Sequence, residues 1–580
     1  MRLNIRFGHD AAASISEGGK VLVSVAEERI SRIKNDSQFP EKSIRRCLEY
    51  LNCQSDKVQE LAISSSSYPK KLFDYIEVSD QIEQEVYSNA IKGFSLPAKI
   101  KNVLQSKQKN TWFKSKMKVQ NSIKLHGLKS IIFADHHLCH AANALQYAPS
   151  SRNLGVVVMD GIGDGTSVSV WKFESGRLTN LLRLGGEYSL GWFYGIATEA
   201  FGWVHGTDEW KLMGLAAYGD EVKENSPLAE LCPSPRLDPS LRFGAEYPNF
   251  TMFSDNGTNI YRNPMSDRMK TLRGDLSDRE YASTIQNVVE QRFRDFILDV
   301  KRKFNFDEIA VSGGFFLNVK NNQKLFELDI FENIFISPDA GDSGLVNGCA
   351  KIEIGNANIL HSFFDDCDLI RSDTILSPYL GPDYSNDDVR SVLIDRKISF
   401  KEIDNPAQAA AALLQEDKII GWFQGRMEAG ARALGNRSIL ANPTKACNKD
   451  RVNKAIKYRE GFRPFCPSML DEDAQKFLEG YYPNKHMTSS FKTKSKAKEQ
   501  IPAVVHIDGT CRIQLVDAAD NELYFSLLTH FKKMSGVGVV LNTSFNIKGE
   551  PIVENPRQAL KCLFDTGIDA LIIGNFLIEK

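Results

Sequence analysis

The chain has 580 residues, 42% of them hydrophobic and 25% charged, with a formal net charge of −1 at pH 7. That is an ordinary globular composition, too long for one core: it fits two large domains or up to about four of ~150 residues. The near-zero charge gives no global reason to expect a nucleic-acid or membrane-surface partner.

The ten cysteines are scattered without a C-x-x-C pair, as free thiols in a reducing compartment would be. "MRLNIRFGHDAAAS" lacks the basic start and apolar core of a signal peptide. No apolar run reaches the roughly 18 residues of a membrane helix, so a cytoplasmic protein is expected.

Residues 1–65 alternate apolar segments: "KVLVSVAEERI", "PEKSIRRCLEYL" and "VQELAISSS". Between Glu85 and Asp135 there is no acidic residue, and lysines interleave with Trp112 and Phe113. This stretch, 86–134, reads as a solvated helical insertion rather than a nucleic-acid face. From 131 to 355 the plan is strand, glycine-rich turn, then strand or helix. "NLGVVVMDGIGDGTSVSVWKF" predicts a hairpin, while "DEIAVSGGFFLNVKNN" and "NIFISPDAGDSGLVNGCA" each predict a strand passing through a turn into a helix. Periodicity then fades over 356–390, as in a linker, and a second α/β block follows from about 391. Within it, "NKHMTSSFKTKSKAKEQ" (484–500) reads as a mobile loop. No sequence repeat is evident.

"HHLCHAANAL" opens a helix directly after an apolar strand. His136 and His140 then share one helix face, a spacing that can hold a divalent cation, while His137 points elsewhere. Asp160 closes the strand "GVVVMD", and Asp342 lies in the turn "PDAGDSG". Both are at carboxyl ends of strands, where open α/β sheets present ligands. Two imidazoles and two carboxylates suit iron(II), manganese or zinc.

Backbone N–H groups in "GIGDGT" and "SGG" could cradle phosphate, although neither a P-loop nor a Rossmann fingerprint is present. Glu209 and Lys211 of "DEWKLMGLAAYGD" fit either a solvent-facing pair or a substrate contact. His9 and Asp10 follow the first apolar segment, where an imidazole could act as a general base.

Arg426, Arg432, Arg437, Lys457, Arg459 and Arg463 fall within 38 residues, among glycines and apolar residues. Such arginines suggest a partly buried anion pocket. Asn542, Ser544 and Asn546 follow another apolar strand and add uncharged donors.

Together these pieces resemble the NodU/CmcH family of O-carbamoyltransferases, the tobramycin carbamoyltransferase type. The resemblance runs through "HDAAAS", "VAEERISRIK", "HHLCHAANA", "MDGIGDGTS", "DEWKLMGLAAYG", "SGGFFLNV", "PDAGDSG", "GRMEAGARALGNRSILANP", "REGFRPFCPS" and "LNTSFNIKGEPIV", in that order over nearly the whole chain. It implies an α/β protein. Residues 1–365 would form an actin/Hsp70-like (ASKHA, threonylcarbamoyl-transferase-like) domain, 366–390 a linker, and 391–580 a YrdC-like domain.

The implied chemistry starts from carbamoyl phosphate and ATP. Carbamate released in the second domain attacks the α-phosphorus to give carbamoyladenylate and pyrophosphate. The first domain then carbamoylates a hydroxyl of a small-molecule or sugar-containing acceptor, in specialised-metabolite or glycan biosynthesis. By resemblance, His136, His140, Asp160 and Asp342 hold the metal, taken as Fe2+ with Mn2+, Mg2+ or Zn2+ as alternatives. Lys211, Gly313, Gly314 and Asn318, with Gly163 and Asp164, lie on the nucleotide side. Arg432, Lys457, Arg463, Asn542 and Ser544 hold carbamoyl phosphate, and His9 beside Asp10 assists deprotonation of the acceptor. A homodimer is compatible with this picture; a membrane or nucleic-acid partner is not expected.

The sequence departs from the family pattern in places. Ala429 and Ala431 stand where a bulky residue and then proline precede the arginine, and Asn442 replaces the usual aspartate. The rival expectations are a threonylcarbamoyl enzyme acting on tRNA and a non-catalytic actin-like nucleotide-binding protein.

Overall fold

The computed structural model describes residues 1–65, 72–79, 82, 123–149, 153–219, 226–237, 251–255, 258–353, 359–362, 366–370, 375–459, 461 and 463–580. Most of the lysine-rich stretch 86–134 lies outside them.

Strands β1 (Arg2–Arg6), β2 (Ala12–Glu17) and β3 (Lys20–Ala26) form an antiparallel meander. On the other side of β1, β4 (Glu60–Ile63) and β5 (Ser130–Ala134) add in parallel. The second sheet repeats this plan. The meander β6 (Leu154–Gly163), β7 (Thr166–Glu174) and β8 (Arg177–Gly185) is extended in parallel by β9 (Glu308–Ser312) and β10 (Asn333–Ile336). The duplication is one of topology, without a repeat in the sequence, and it is the plan of the actin/Hsp70-like fold. The expected hairpin and both strand–turn–helix units are present in it.

Of the helices, α1 (Glu41–Tyr50) covers the first sheet and α2 (His136–Leu145) lies between the two. The helices α3 (Leu190–Phe201), α4 (Glu209–Ala216), α5 (Asp278–Phe304) and α6 (Val319–Glu327) share the core of the second sheet, while α7 (Leu345–Cys349) packs against α2 and the first sheet. Nine of the ten residues of α2 are buried, so its alanines and leucine meet Val156 and Val158 on one side and Leu345 on the other. A helix buried nearly all round is stable only inside such a sandwich. At Gly348 of α7 a Cβ would lie 1.9 Å from the carbonyl oxygen of Cys139, so only glycine permits this crossing of α2 and α7.

The second block has its own core around one mixed sheet. In it β11 (Ile420–Phe423) pairs with β12 (Arg437–Ala441), which pairs with β14 (Val539–Ser544), itself beside β13 (Cys466–Met469). Part of the span read as a linker is structured: Cys367–Asp368 pairs with β8, and a helix begins at Asn386. The loop expected at 484–500 contains a strand, Ser490–Lys492, and a helix, Ser495–Gln500, anchored by buried Phe491 and Ala497.

Side chains of the first block bond to the second at several points. Arg29 donates to the Gly430 carbonyl at 2.7 Å, Arg32 to that of Pro551 at 2.6 Å, and Lys320 pairs with Asp508 at 2.6 Å. All ten cysteines are free. Among the described residues no helix is long and apolar enough to cross a membrane.

Candidate active site

The helix α2 starts immediately after β5 because Asp135 caps it, accepting the Leu138 N–H at 2.8 Å while Arg183 pairs with the same carboxylate. This fixes His136 and His140 on one face, their Nε2 atoms 3.1 Å apart. Asp160, near the end of β6, comes within 3.3 Å of His136 Nε2. Asp342, in the turn before α7, is 3.4 Å from His136 and 3.6 Å from His140. One ligand atom from each of the four lies within 4.8 Å of all the others, and all four residues are buried. His137 points away, between Ser169 and the Thr166 carbonyl, as its helix position requires.

The quartet is supported from behind. Arg6 of β1 donates to Asp342 at 2.6 Å, Ser312 sits 3.3 Å from His140 Nδ1, and Gly314 N–H donates to Asp160 at 2.9 Å. Such outer partners orient ligands. Sequence reasoning missed Arg6 and Ser312; the one signal was an arginine at the end of β1, three residues ahead of His9.

Burial disfavours a charged His136, but Asp342 and hydrogen bonds to Asp160 and Asp342 outweigh it and raise its pKa to about 10. Burial likewise opposes ionisation of Asp342, and Arg6 with both histidines overcomes it, holding the carboxyl well below its usual range. Asp160 is lowered as well: burial and Asp342 oppose its ionisation, and the histidines prevail. Cationic charge is thus wanted at this point. Two imidazole nitrogens and two carboxylates are a donor set that fits a borderline divalent cation.

The glycines and Asp164 act differently from expectation. Asp164 accepts the His136 backbone N–H at 3.0 Å, and a Cβ at Gly163 would strike the His136 ring at 2.2 Å. Neither lines the large cavity described below. They seat α2 through the backbone and ring of His136. Gly313 has φ +107°, and a Cβ there would lie 2.1 Å from the Met159 carbonyl oxygen. It permits close strand packing. Asn318 caps α6 through its Oδ1, and Lys211 pairs with Asp208 at 2.7 Å; both also face the cavity.

In the second block the arginine cluster divides. Arg437 is fully buried and donates to the carbonyls of Gln424, Gly425, Asn436 and Pro382, with Phe423 stacked 3.6 Å below. Arg426 likewise serves Leu22, Leu380 and Gly381. These two build the fold. Lys457 is buried, its Nζ donating to Ser544 and Asn546, and burial followed by Arg459 pushes its pKa well down. Arg432 makes one hydrogen bond among the described residues, to the Leu317 carbonyl at 3.1 Å. Burial and Arg512 lower its pKa to about 9. Asn542 bonds to the Ala433 carbonyl and Ser468, leaving its buried Oδ1 without a partner among the described residues. Arg463 lies flat over Trp210 of α4, 3.5 Å from the ring centroid. Asn442 accepts Thr444 N–H and hydroxyl, a turn cap.

Both groups open into one cavity of about 1360 Å³. Asp160 and Asp342 line it from one side, and Arg432, Lys457, Arg463, Asn542 and Ser544 from the other. His9 and Asp10 stand on the wall beside Asp342, with His9 Nε2 3.6 Å from Asp10.

Two family descriptions match this chain: "Carbamoyltransferase N-terminus" over residues 2–351 and "Carbamoyltransferase C-terminus" over 411–580. The chain belongs to the carbamoyltransferase family. This carbamoyltransferase is 31% identical to nodulation protein NolNO of Sinorhizobium fredii, over 99% of its own length and 79% of that protein's. It is 30% identical to the uncharacterized protein MJ1058 of Methanocaldococcus jannaschii, over 99% and 98%. Nodulation protein U of Sinorhizobium fredii matches at 32% over 44% of this chain and 42% of its own. A crystal structure of full-length HypF, in its phosphate- and nucleotide-bound form, is 12% identical over 60% of this chain and 46% of its own, with a TM-score of 0.29, too low to carry any argument. Family membership makes the protein a transferase, against the expectation of a non-catalytic actin-like protein.

Proposed function

We propose that this carbamoyltransferase uses ATP and carbamoyl phosphate to make carbamoyladenylate, then passes the carbamoyl group to a hydroxyl of a small-molecule or sugar-containing acceptor. The observation that carries the reading is the shared cavity, with acidic metal-side residues on one wall and a cationic group on the other.

Carbamoyl phosphate binds among Lys457, Arg432 and Arg463 in the second block, which we take as YrdC-like. An anion there relieves the cost of three cations held together in a poorly solvated place. One water attacks its carbonyl carbon, the C–O bond to the phosphoryl group breaks, and phosphate and carbamate are released. Carbamate loses CO2 readily in water, so a walled cavity between the two blocks protects it.

A divalent cation held by His136, His140, Asp160 and Asp342, taken as Fe2+ or another borderline metal, supplies charge neutralisation for nucleotide phosphates. Lys211 and Asn318 face the same space and orient ATP, and Gly314 holds Asp160 in place. A carbamate oxygen attacks the α-phosphorus, the bond to pyrophosphate breaks, and carbamoyladenylate results. The acceptor hydroxyl then attacks the carbamoyl carbon and AMP leaves. His9 takes the hydroxyl proton, and Asp10 beside it favours the imidazolium so formed.

The test is incubation of the protein with ATP, carbamoyl phosphate and a library of hydroxyl compounds, read by mass spectrometry. A gain of one carbamoyl group on an acceptor, lost in His9→Asn while adenylate still forms, supports the reading. Transfer that instead requires threonine and bicarbonate in place of carbamoyl phosphate would replace it with the tRNA-type reaction.

A further inference from the structure

We infer that Cys466 is a covalent modification site in the wall of the anion pocket. Its sulfur takes cyanate, the small electrophile into which carbamoyl phosphate breaks down, and the S-carbamoyl group so formed closes the pocket to further substrate. The inference rests on the reading above for the source of the cyanate, and on the geometry of the thiol for the rest.

Of the ten cysteines, Cys466 alone lines the large cavity. It is the first residue of β13 and stands directly opposite Asn542 of β14 in the antiparallel ladder. Residues paired in this way project from the same face of the sheet as near neighbours. Leu434 and Met487 pack against Cys466 in a small apolar cluster. Arg512, on the strand Thr510–Arg512, donates its Nε–H to Cys466 Sγ at 2.8 Å, its one side-chain hydrogen bond among the described residues. Arg432 is close by: burial and then Arg512 lower its pKa, and Cys466 is the group that opposes them. Two guanidinium groups beside one sulfur favour the thiolate, which is the nucleophilic form.

Asn542 supplies the other half of the site. Its buried Oδ1 makes no hydrogen bond among the described residues, and the residue lines the same cavity. An amide NH2 carried on the Cys466 sulfur would donate to it, while the carbonyl oxygen of that amide would meet the arginines. A buried acceptor left unpaired is costly, so this donor stabilises the adduct. The other thiols differ. Burial raises Cys232, Cys367 and Cys562 to about 12, which keeps them protonated. Cys447 is exposed, and its sulfur makes no hydrogen bond among the described residues, so it is the reference for an unassisted thiol.

The chemistry needs no oxidant or reductant. Carbamoyl phosphate passes an N–H proton to its phosphate as the C–O bond to that phosphate breaks, giving cyanic acid, HNCO, and phosphate. The sulfur of Cys466 adds to the carbon of HNCO, the C–N double bond becomes single, and the thiol's proton goes to nitrogen. The product is a thiocarbamate, Cys466 Sγ–C(O)NH2. Arg432, Lys457 and Arg463 line the same end and concentrate anions, so cyanate gathers where its precursor binds. The added group lies between Asn542 and the arginines, where the reading above places carbamoyl phosphate.

The test is incubation of the full-length protein with potassium cyanate at neutral pH, with the sites of carbamoylation mapped by peptide mass spectrometry over time. Cys466 should gain one carbamoyl group about tenfold faster than Cys447, and Arg512→Gln should remove that advantage. Saturating inorganic phosphate should slow Cys466 and leave Cys447 unchanged. Labelling of Cys466 no faster than Cys447, indifferent to phosphate, or unaltered in Arg512→Gln overturns the inference. Pyrophosphate release from ATP and carbamoyl phosphate should fall in step with the labelling of Cys466. It should return when dithiothreitol removes the thiocarbamate, a treatment that carbamoylated lysines survive. Cys466→Ala, or Cys466→Ser if the first does not fold, should release pyrophosphate and resist cyanate. Undiminished release from wild type fully labelled at Cys466 overturns the inference without any variant. Selective, phosphate-sensitive labelling in a protein that forms no pyrophosphate even before cyanate is added would instead count against the reaction proposed above, leaving the modification site in place.

Discussion

His136, His140, Asp160 and Asp342 come from three distant stretches of chain and meet within 4.8 Å. The cations between Arg426 and Arg463 are close in sequence, yet they part: Arg426 and Arg437 serve backbone carbonyls while Arg432, Lys457 and Arg463 face the cavity. The difference lies in what fixes each side chain. A short side chain on a rigid helix face or at a strand end goes where its backbone points. A long guanidinium can turn toward solvent, substrate or buried carbonyls, and neighbours in space decide which.

The sharpest way to break this comparison is at the quartet. His140→Ala and Asp342→Asn should each lose bound metal, by elemental analysis, and reduce carbamoyl transfer to background. Retention of both metal and activity in either variant would remove the quartet from the chemistry.

Within the cation group the division itself can be tested. Lys457→Met removes charge-assisted hydrogen bonds worth about 3 kcal/mol to a bound anion, so pyrophosphate release should fall roughly 100-fold. Arg437→Met leaves the Gln424 and Gly425 carbonyls unpaired among the described residues, so it should lower stability by about 3 kcal/mol in denaturant titrations while the carbamoyl phosphate KM stays within about twofold.

A smaller effect is expected from pH, on protein stripped of metal. Burial depresses His137, His140, His205, His486 and His506, the last three to about 3, 4 and 4. Unfolded histidines bind protons below about pH 6.5, so stability is lost as pH falls from there toward 4. Glu209 and Asp339, both raised to about 7 by burial, oppose this, as do Asp10, Glu27 and Glu290, which burial raises in the same direction. Above 6.5 the sign reverses, because folded His136 keeps its proton until about pH 10. Thermal stability should therefore fall as pH rises from 6.5 toward 10. Saturating divalent metal should flatten the alkaline side, since it displaces that proton. The smallest expected change is Asn442→Asp, within about 0.5 kcal/mol, because a carboxylate can accept the same Thr444 bonds.

Much of the site was legible because it sits at pattern-bearing positions: the i, i+4 histidines, and two aspartates beside strand ends. Arg6 and Ser312 were not, since their partners are 336 and 172 residues away. Asp164 and Gly163 pack against His136 outside the cavity, and a glycine-rich turn has the same sequence whether it cradles an anion or makes room for a histidine ring. Lysines hid the structure at 484–500: Phe491, Ala497 and Ile501 carry its inward face, and the charges lie outside. The topological repeat left no trace because strand pairing constrains hydrophobicity more than residue identity.

Release of pyrophosphate from ATP tests the account most directly, measured without any acceptor and with carbamoyl phosphate and divalent metal each present or withheld. The account predicts pyrophosphate only when both are present, about 100-fold less of it from Lys457→Met, and none from Asp342→Asn. Release of inorganic phosphate from the γ-position instead, or pyrophosphate formed without carbamoyl phosphate, would contradict it.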